Sequence, residues 1–194
     1  MNYENREKWL TAAAAEIEAD LLKTRAGIHL PAGGFRVSCG FPSKKATGAS
    51  PAGGQCWSPE CSKSGHYEIF ISPILSEPVE VLATLLHELI HASVGIECKH
   101  KGEFKEAAKA CGLVGKMTHT EPGERLIESL QEIAEVLGEY PHASLQNMTT
   151  GVKKDTTRML KIVCPECGYT LRAAKKWLEV GLPTCCCGEA FKEG

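Results

Sequence analysis

The chain has 194 residues and a formal net charge of −2, with 43% hydrophobic and 24% charged residues. This is the composition of a globular protein, and it excludes both a disordered chain and a wholly basic nucleic-acid binder. No apolar run approaches the roughly 18 residues that a membrane helix needs, and the N-terminal segment has no signal-peptide core. We therefore expect a cytoplasmic protein with no membrane partner, in which clustered cysteines indicate metal binding more often than disulfides.

The first 72 residues predict one long helix followed by a small sheet. Apolar residues at four-residue spacing predict a helix over 5–26, which Gly27 ends, and a short strand is predicted over Phe35–Cys39. Residues 40–65 are rich in glycine, proline and serine, so we expect a long loop or an irregular hairpin there. Tyr67–Ser72 predicts a strand, and on fold analogy alone we expect its edge to align an extended substrate as an added strand.

The middle of the chain predicts three more helices. The most hydrophobic one runs from Pro78 to about Val94, and two others span about Glu103–Ala110 and Glu124–Leu137. Residues 139–156 lose this periodicity and predict a linker, after which strands alternate with cysteine-containing turns. The predicted fold class is therefore α+β, with a domain over 1–138, a linker over 139–156 and a small β domain over 157–194.

The predicted helix from Pro78 contains the sequence HELIH over residues 87–91. Side chains four residues apart lie on one helix face, so His87 and His91 can bind one ion. Glu88 is turned about 100° from His87 and does not compete for coordination. This arrangement suits a general base beside zinc, which lowers the pKa of water and polarises a peptide carbonyl. The alternative is a helix with two buried histidines, but it leaves the charged Glu88 among leucines without a role.

A catalytic zinc ion needs a third protein ligand and an open fourth position. Four residues downstream of the helix are candidates for that ligand, and their spacing does not select one of them: Glu97, Cys98, His100 and His119. His119 is also a candidate for stabilising the oxyanion of peptide attack, with an ordinary surface histidine as the alternative.

Two cysteine turns near the C-terminus predict a second metal site. CPECG over 164–168 is a zinc knuckle, and after a spacer of 17 residues comes CCCG over 185–188. Cys187 precedes a glycine as in the first knuckle, and Cys185 is the favoured second ligand because neighbouring residues of an extended chain point apart. Cys186 remains an alternative. A closed structural zinc site is therefore predicted from Cys164, Cys167, Cys185 and Cys187, and it would supply much of the tail's folding energy.

Charge is divided unevenly along the chain. Residues 1–150 carry 14 basic and 19 acidic residues, a net of −5, whereas residues 151–194 carry 8 and 5, a net of +3. Tyr169 and Trp177 lie among the basic residues of the tail, and cations combined with aromatic rings bind single-stranded nucleic acids. The alternative to nucleic-acid binding is that these basic and aromatic residues form an ordinary solvated surface.

A third zinc site is conceivable in the loop region, but the irregular spacing of its candidate ligands favours free thiols. These candidates are Cys39, Cys56, Cys61 and His66.

The segments HELIHASVG over 87–95 and HKGEFKEAAK over 100–109 resemble the SprT-like zinc metallopeptidase family. This family includes the Spartan proteases, which remove DNA–protein crosslinks, and it pairs an HExxH helix with a later His-Gly-x-x-Phe-like segment. Here Lys101 is inserted before the glycine. The resemblance implies a zincin-like body and a C-terminal zinc ribbon, with Glu88 as the catalytic acid/base. Its implied catalytic zinc ligands are His87, His91 and His100.

The resemblance, which extends from about Phe35 to the end of the chain, implies a zinc endopeptidase acting on DNA-bound or DNA-crosslinked proteins. One catalytic and one structural zinc ion are expected, with a protein substrate and single-stranded DNA as partners. Two alternatives remain at this stage. One is a nucleic-acid-binding zinc protein whose HExxH site is not catalytic, and the other is a DNA-independent peptidase that docks proteins through its ribbon.

Overall fold

The computed structural model describes residues 3–43, 51–146 and 159–193. The chain divides into two compact units, Met1–Thr149 and Thr150–Gly194. Helices and small sheets both occur in the described ranges, so the predicted α+β class is confirmed. None of the helices in these ranges is both long enough and apolar enough to cross a membrane.

The N-terminal helix has the predicted extent. Helix α1 covers Arg6–Ile17, and it begins at Asn5, whose side-chain oxygen accepts a hydrogen bond of 2.9 Å from the Lys8 N–H. The helix continues as a π-helical segment, Glu18–Ala26, and ends at Gly27 with φ 65°. A positive φ is unfavourable for residues with a Cβ, which explains why a glycine ends the helix.

A three-stranded sheet follows α1. Strands β1 (Phe35–Cys39), β2 (Gly54–Trp57) and β3 (Tyr67–Ile71) are arranged in the order β1-β3-β2. Strand β1 is parallel to β3, and β2 is antiparallel to it. The prediction that β3 offers a free edge is therefore wrong, because β1 and β2 occupy both of its sides. The edge strands are instead β1 and β2, and β2 lies within the region predicted as a loop or irregular hairpin.

Three helices and a hairpin complete the first unit. Helix α2 (Pro78–Val94) is buried on most of its surface, and α3 (Glu103–Cys111) and α4 (Glu124–Leu137) bury one face each. Between α3 and α4 lies an antiparallel hairpin of β4 (Leu113–Lys116) and β5 (His119–Pro122), which is absent from the elements predicted above. All three predicted helices are present, and this hairpin forms an additional wall beside α2.

The first unit extends past residue 138, where the linker was predicted to begin. Tyr140 is only 3% exposed, and its ring centroid lies 4.9 Å from that of Trp9. The N–H of Leu145 donates a hydrogen bond of 2.8 Å to the Pro73 carbonyl. Residues 139–146 thus pack on the first unit although they lack periodicity, because one buried aromatic ring anchors them. Residues 147–156 of the predicted linker lie outside the described ranges.

The second unit is a small antiparallel sheet with little hydrophobic core. Strands β6 (Met159–Val163), β7 (Thr170–Ala174) and β8 (Lys192–Glu193) are arranged in the order β7-β6-β8, and the short helix α5 (Lys175–Leu178) follows β7. Its buried apolar residues in the described range are Ile162, Cys164, Cys185 and Phe191. Two of these four are cysteines, so the unit depends on what those thiols bind.

We expect Trp9→Ala to lower the free energy of unfolding of the first unit by about 3–5 kcal/mol, because it leaves a cavity against Tyr140. It also removes the indole N–H that donates a 3.1 Å hydrogen bond to the Gly138 carbonyl. Urea denaturation followed by helical circular dichroism measures the change. The control is Val136→Ala on α4, whose side chain is 55% exposed, and it should change stability by no more than about 0.5 kcal/mol. Equal effects of the two substitutions would contradict this account of the core.

Candidate metal centres and cleft

Three imidazoles converge at one end of a cleft in the first unit. Helix α2 supplies His87 and His91 one turn apart, as the four-residue spacing predicts. The Nε2 atom of His100 lies 3.3 Å from Nε2 of His87 and 3.2 Å from Nε2 of His91. One ligand atom from each of the three residues lies within 4.8 Å of the other two, so the group could hold a metal ion.

A tight turn after α2 directs His100 back toward the helix. Gly95 ends the helix with φ 93°, a short 3₁₀ turn covers Ile96–Cys98, and the N–H of Lys101 donates a 3.1 Å hydrogen bond to the Cys98 carbonyl. Within this turn Lys99 adopts φ 51° and ψ −121°, a conformation that favours glycine. Such backbone strain costs about 1–3 kcal/mol and is typical of functional sites.

Of the four candidates for the third ligand, only His100 joins the two helix histidines among the described residues. The Cys98 thiol instead donates to the carbonyl of Val94 at 3.4 Å, one turn back along the chain. His119 lines the cleft but is exposed and stands outside the group of three.

The distances between the imidazole nitrogens fit a tetrahedral metal ion. Two nitrogens that are each bound at 2.0–2.1 Å to such an ion lie about 3.3 Å apart. Burial lowers the pKa of His87 to about 4 and that of His91 to about 3, and it also lowers the pKa of His100. All three rings are therefore neutral near pH 7 and present lone pairs, as metal coordination requires.

A residue outside the helix fixes the orientation of the His87 ring. Nδ1 of His87 lies 2.9 Å from the Thr120 hydroxyl on β5. With Nε2 directed at a metal, Nδ1 carries the proton and donates it to the hydroxyl oxygen, which sets the tautomer and the ring angle. Nδ1 of His91 is buried and has no hydrogen-bond partner in the described part of the chain. The fixed orientation of His87 thus depends on the unpredicted hairpin.

Phe104 packs against all three imidazoles. Its ring stacks on His91 with the centroids 4.1 Å apart, and it meets the rings of His87 and His100 at 4.9 Å and 5.1 Å. Phe104 is fully buried in the first turns of α3. The turn that carries His100 and the helix that carries Phe104 therefore close the site together.

Glu88 lies beside the imidazoles and is almost entirely buried, with 7% of its surface exposed. Burial raises the pKa of its carboxyl to about 8, and the backbone N–H of Cys56 on β2 opposes this shift by donating a hydrogen bond to the carboxylate. The cleft has a volume of about 910 Å³. Its walls come from α2, the β2 strand and the β4–β5 hairpin, and they include Gly54, Cys56, His87, Glu88, His91, His100 and His119.

The loop cysteines do not form a third centre. Within the described ranges, no metal-ligating group includes Cys39, Cys56, Cys61 or His66. Burial raises the pKa of Cys39, and burial next to Glu88 raises that of Cys56, so both carry protonated thiols. This agrees with the interpretation of these cysteines as free thiols.

The second unit brings together the four cysteines predicted as ligands. Their Sγ–Sγ distances are 3.4 Å between Cys164 and Cys187, 3.5 Å between Cys167 and Cys185, and 3.8 Å between Cys187 and Cys167. Sulfurs bound at 2.3 Å to a tetrahedral ion lie about 3.8 Å apart, whereas a disulfide needs about 2.05 Å. The four thiols could therefore hold a metal ion and are not paired as disulfides.

Two glycine turns shape this cysteine group. The N–H of Gly168 donates to the Cys164 carbonyl at 3.0 Å, and that of Gly188 donates to the Cys185 carbonyl at 2.9 Å, both glycines having positive φ. The backbone N–H of Cys167 donates to the sulfur of Cys164 and lowers the pKa of that thiol to about 7. The thiolate form, which binds metal, is thereby favoured at Cys164.

No protein-family model, curated protein or solved structure matches this chain.

We expect Thr120→Val to weaken metal binding at the histidine group by about 10–100-fold, because it removes the hydroxyl that orients His87. Competition titration with a chromophoric chelator measures the affinity. The control is Thr118→Val in the same hairpin, since Thr118 lines the cleft but forms no described bond to an imidazole. Wild-type affinity in Thr120→Val would show that the contact does not orient the ligand.

Substitution of adjacent cysteines distinguishes the ligands in the second unit. Cys186 lies 3.9 Å from Cys185 but is exposed and outside the group of four. We expect Cys187→Ser to lose one metal ion per chain in elemental analysis, because the closed site loses a thiolate, whereas Cys186→Ser keeps the wild-type content. Loss of metal from Cys186→Ser would reassign the ligands.

Proposed function

We propose that this chain is a zinc-dependent endopeptidase of the SprT-like type, with a zincin-like first unit and a zinc ribbon over 157–194. The observation that carries the proposal is the convergence of three neutral imidazoles beside a buried carboxylate in an open cleft. Three protein ligands with an accessible fourth position are typical of catalytic zinc, whereas four thiolates form a closed structural site. Imidazole and thiolate donors both suit zinc.

Glu88 is the proposed general base and acid. Zinc, when bound, lowers the pKa of a water molecule and polarises the scissile carbonyl. Burial raises the pKa of Glu88 to about 8 without an ion, and the positive charge of a bound zinc would lower it and favour the carboxylate. That carboxylate would accept a proton from the attacking water as the oxygen–carbon bond forms. It then transfers that proton to the amine nitrogen as the carbon–nitrogen bond breaks, so that one carboxyl serves both steps. His119, at the rim of the cleft, remains the candidate for stabilising the oxyanion.

The edge strand β2 supports a peptide as the substrate. The Gly53 carbonyl accepts a 2.7 Å hydrogen bond from the Ser72 N–H, so main-chain groups at 53, 55 and 57 face β3. The alternation of an antiparallel pair then directs the main-chain groups of Gly54 and Cys56 away from β3. Because the Cys56 N–H is directed at Glu88, the groups left for an extended peptide to pair with are the N–H and carbonyl of Gly54 and the carbonyl of Cys56, where both residues line the cleft.

The surface of the second unit supports single-stranded DNA as a partner. Trp177 is 63% exposed, and Nζ of Lys176 lies 5.2 Å from the centroid of its ring. Exposed rings beside cations stack on bases while the cations attract phosphates. Together with the family resemblance, this surface leads us to propose DNA-bound or DNA-crosslinked proteins as substrates. Lys153, Lys154 and Arg158, which add to the basic charge of the tail, lie outside the described ranges.

The location proposed for this activity is the cytoplasm. No disulfide joins any of the ten cysteines, all of which lie in the described ranges. Free thiols and thiolate metal sites both suit a reducing compartment.

The decisive experiment is cleavage of a DNA-binding protein with and without a single-stranded oligonucleotide. We expect the wild type to cut when DNA is present, and Glu88→Gln to lower kcat by about 10²–10⁴-fold with unchanged metal content. Glu132→Gln, at an exposed position on α4, is the matched control and should retain wild-type kcat.

The outcomes separate three functions. Cleavage that requires both Glu88 and DNA supports the full proposal. Cleavage regardless of DNA keeps the peptidase but assigns the ribbon to protein docking. If the metal-loaded wild type cuts nothing, the peptidase proposal is wrong, and a nucleic-acid-binding protein with a non-catalytic histidine site takes its place.

A further inference from the structure

We propose that Gly54 is a positioning residue for Glu88, because the missing side chain lets β2 approach α2 closely enough to hold the carboxylate. A Cβ at this position would lie 2.9 Å from Cγ of Glu88, 2.9 Å from Cγ2 of Thr84 and 3.0 Å from Oε1 of Glu88. Contacts this short require a neighbour to move. The catalytic consequence rests on the proposed peptidase function, whereas the positioning itself rests on these contacts.

The requirement for glycine at position 54 is steric and not conformational. Gly54 does not have the positive φ seen at turn glycines such as Gly168 and Gly188. It lies in a regular antiparallel register opposite Ile71 of β3. An alanine could therefore adopt the same backbone conformation, and only the space occupied by Glu88 and Thr84 excludes it.

Neither the strand nor the helix can easily retreat from an added methyl group. Strand β2 is paired with β3 on its other side, and α2 is packed in the core through fully buried residues such as Leu85 and Leu89. A close-packed interior resists separation of such elements. Rotation of the Glu88 side chain is therefore the easiest response, and it carries the carboxylate away from the Cys56 N–H.

That N–H is the described hydrogen-bond donor to the Glu88 carboxylate. It belongs to the same strand, two residues beyond Gly54, so a single close approach both makes room for Glu88 and supplies its donor. The imidazoles of His87 and His91 receive their contacts from Thr120 and Phe104 instead. Displacement of Glu88 should therefore spare the metal ligands.

Gly53, the residue immediately before β2, provides a matched control. A Cβ there would lie 3.1 Å from Oγ1 and 3.3 Å from Cγ2 of Thr84, and 3.5 Å from Cδ1 of Leu75, with no contact to Glu88. A shift of a few tenths of an ångström in Thr84 accommodates it. Gly53→Ala therefore adds the same methyl group beside the same helix without displacing the carboxylate.

The test compares Gly54→Ala with Gly53→Ala by three measurements: metal content, steady-state cleavage, and the amide resonance of Cys56 in ¹H–¹⁵N spectra. In wild type and Gly53→Ala we expect the Cys56 amide to be protected from hydrogen exchange and its resonance to lie downfield. That resonance should shift in Glu88→Gln. In Gly54→Ala we expect that amide to lose its protection. We also expect kcat to fall by about 10–100-fold, with KM and metal content unchanged, because a misplacement of about 1 Å costs up to 10²-fold in rate.

A second substitution separates displacement of Glu88 from a general change in helix spacing. Thr84→Ser in the Gly54→Ala background removes the Cγ2 contact and leaves both Glu88 contacts. Continued loss of kcat and of Cys56 protection supports the proposal. Recovery of both would overturn it, because the effect would then have come from the contact with Thr84.

Failure of the positioning proposal and failure of the proposed function give different results. If the wild type is inactive but its Cys56 amide is protected, and Gly54→Ala loses that protection, the peptidase proposal is rejected and the positioning proposal stands. An active Gly54→Ala enzyme with a wild-type Cys56 amide rejects the positioning and keeps the peptidase.

Discussion

The burial of α2 is the constraint on which the rest of the first unit depends. His87, Glu88 and His91 lie in a helix whose neighbouring leucines and isoleucine have no exposed surface. Buried polar groups are costly unless they find partners. The surrounding elements supply those partners: β2 brings an N–H to Glu88, β5 brings a hydroxyl to His87, and the turn after α2 brings a third imidazole. The cleft is the place where these partners meet.

The elements that could be predicted from the sequence are those whose signals are local. Helices α2 and α4 have apolar periodicity and a glycine at the end, and both occupy the predicted ranges. Strands β2, β4 and β5 have four residues each, and all three contain glycine or proline. Their pairing depends on β3 and on the packing beside α2, and a short stretch of sequence contains no information about either. Tyr140 likewise packs against Trp9, more than a hundred residues away along the chain.

The candidate centres also combine features with local sequence signals and features that depend on long-range contacts. The histidine pair and the cysteine turns repeat at fixed local spacings, so the sequence alone indicates them. His100 could not be selected from spacing, because its approach depends on the positive φ of Lys99, which no residue preference predicts. Thr120 and Gly54 are 33 and 34 residues from the side chains they contact, His87 and Glu88 respectively. They carry no motif, so only the folded chain reveals them.

The turn at Lys99 has a consequence for metal exchange. If the strain of about 1–3 kcal/mol is relieved whenever the metal leaves, each binding event must restore it, and the dissociation constant rises by about 5–150-fold. The thiolate group of the second unit shows no comparable backbone conformation, since the positive-φ residues of its turns are glycines. Under limiting zinc the two centres would therefore fill in order, with the thiolates retaining their ion while the histidines empty. The second unit would then keep its ion and its fold while the histidine group stood empty.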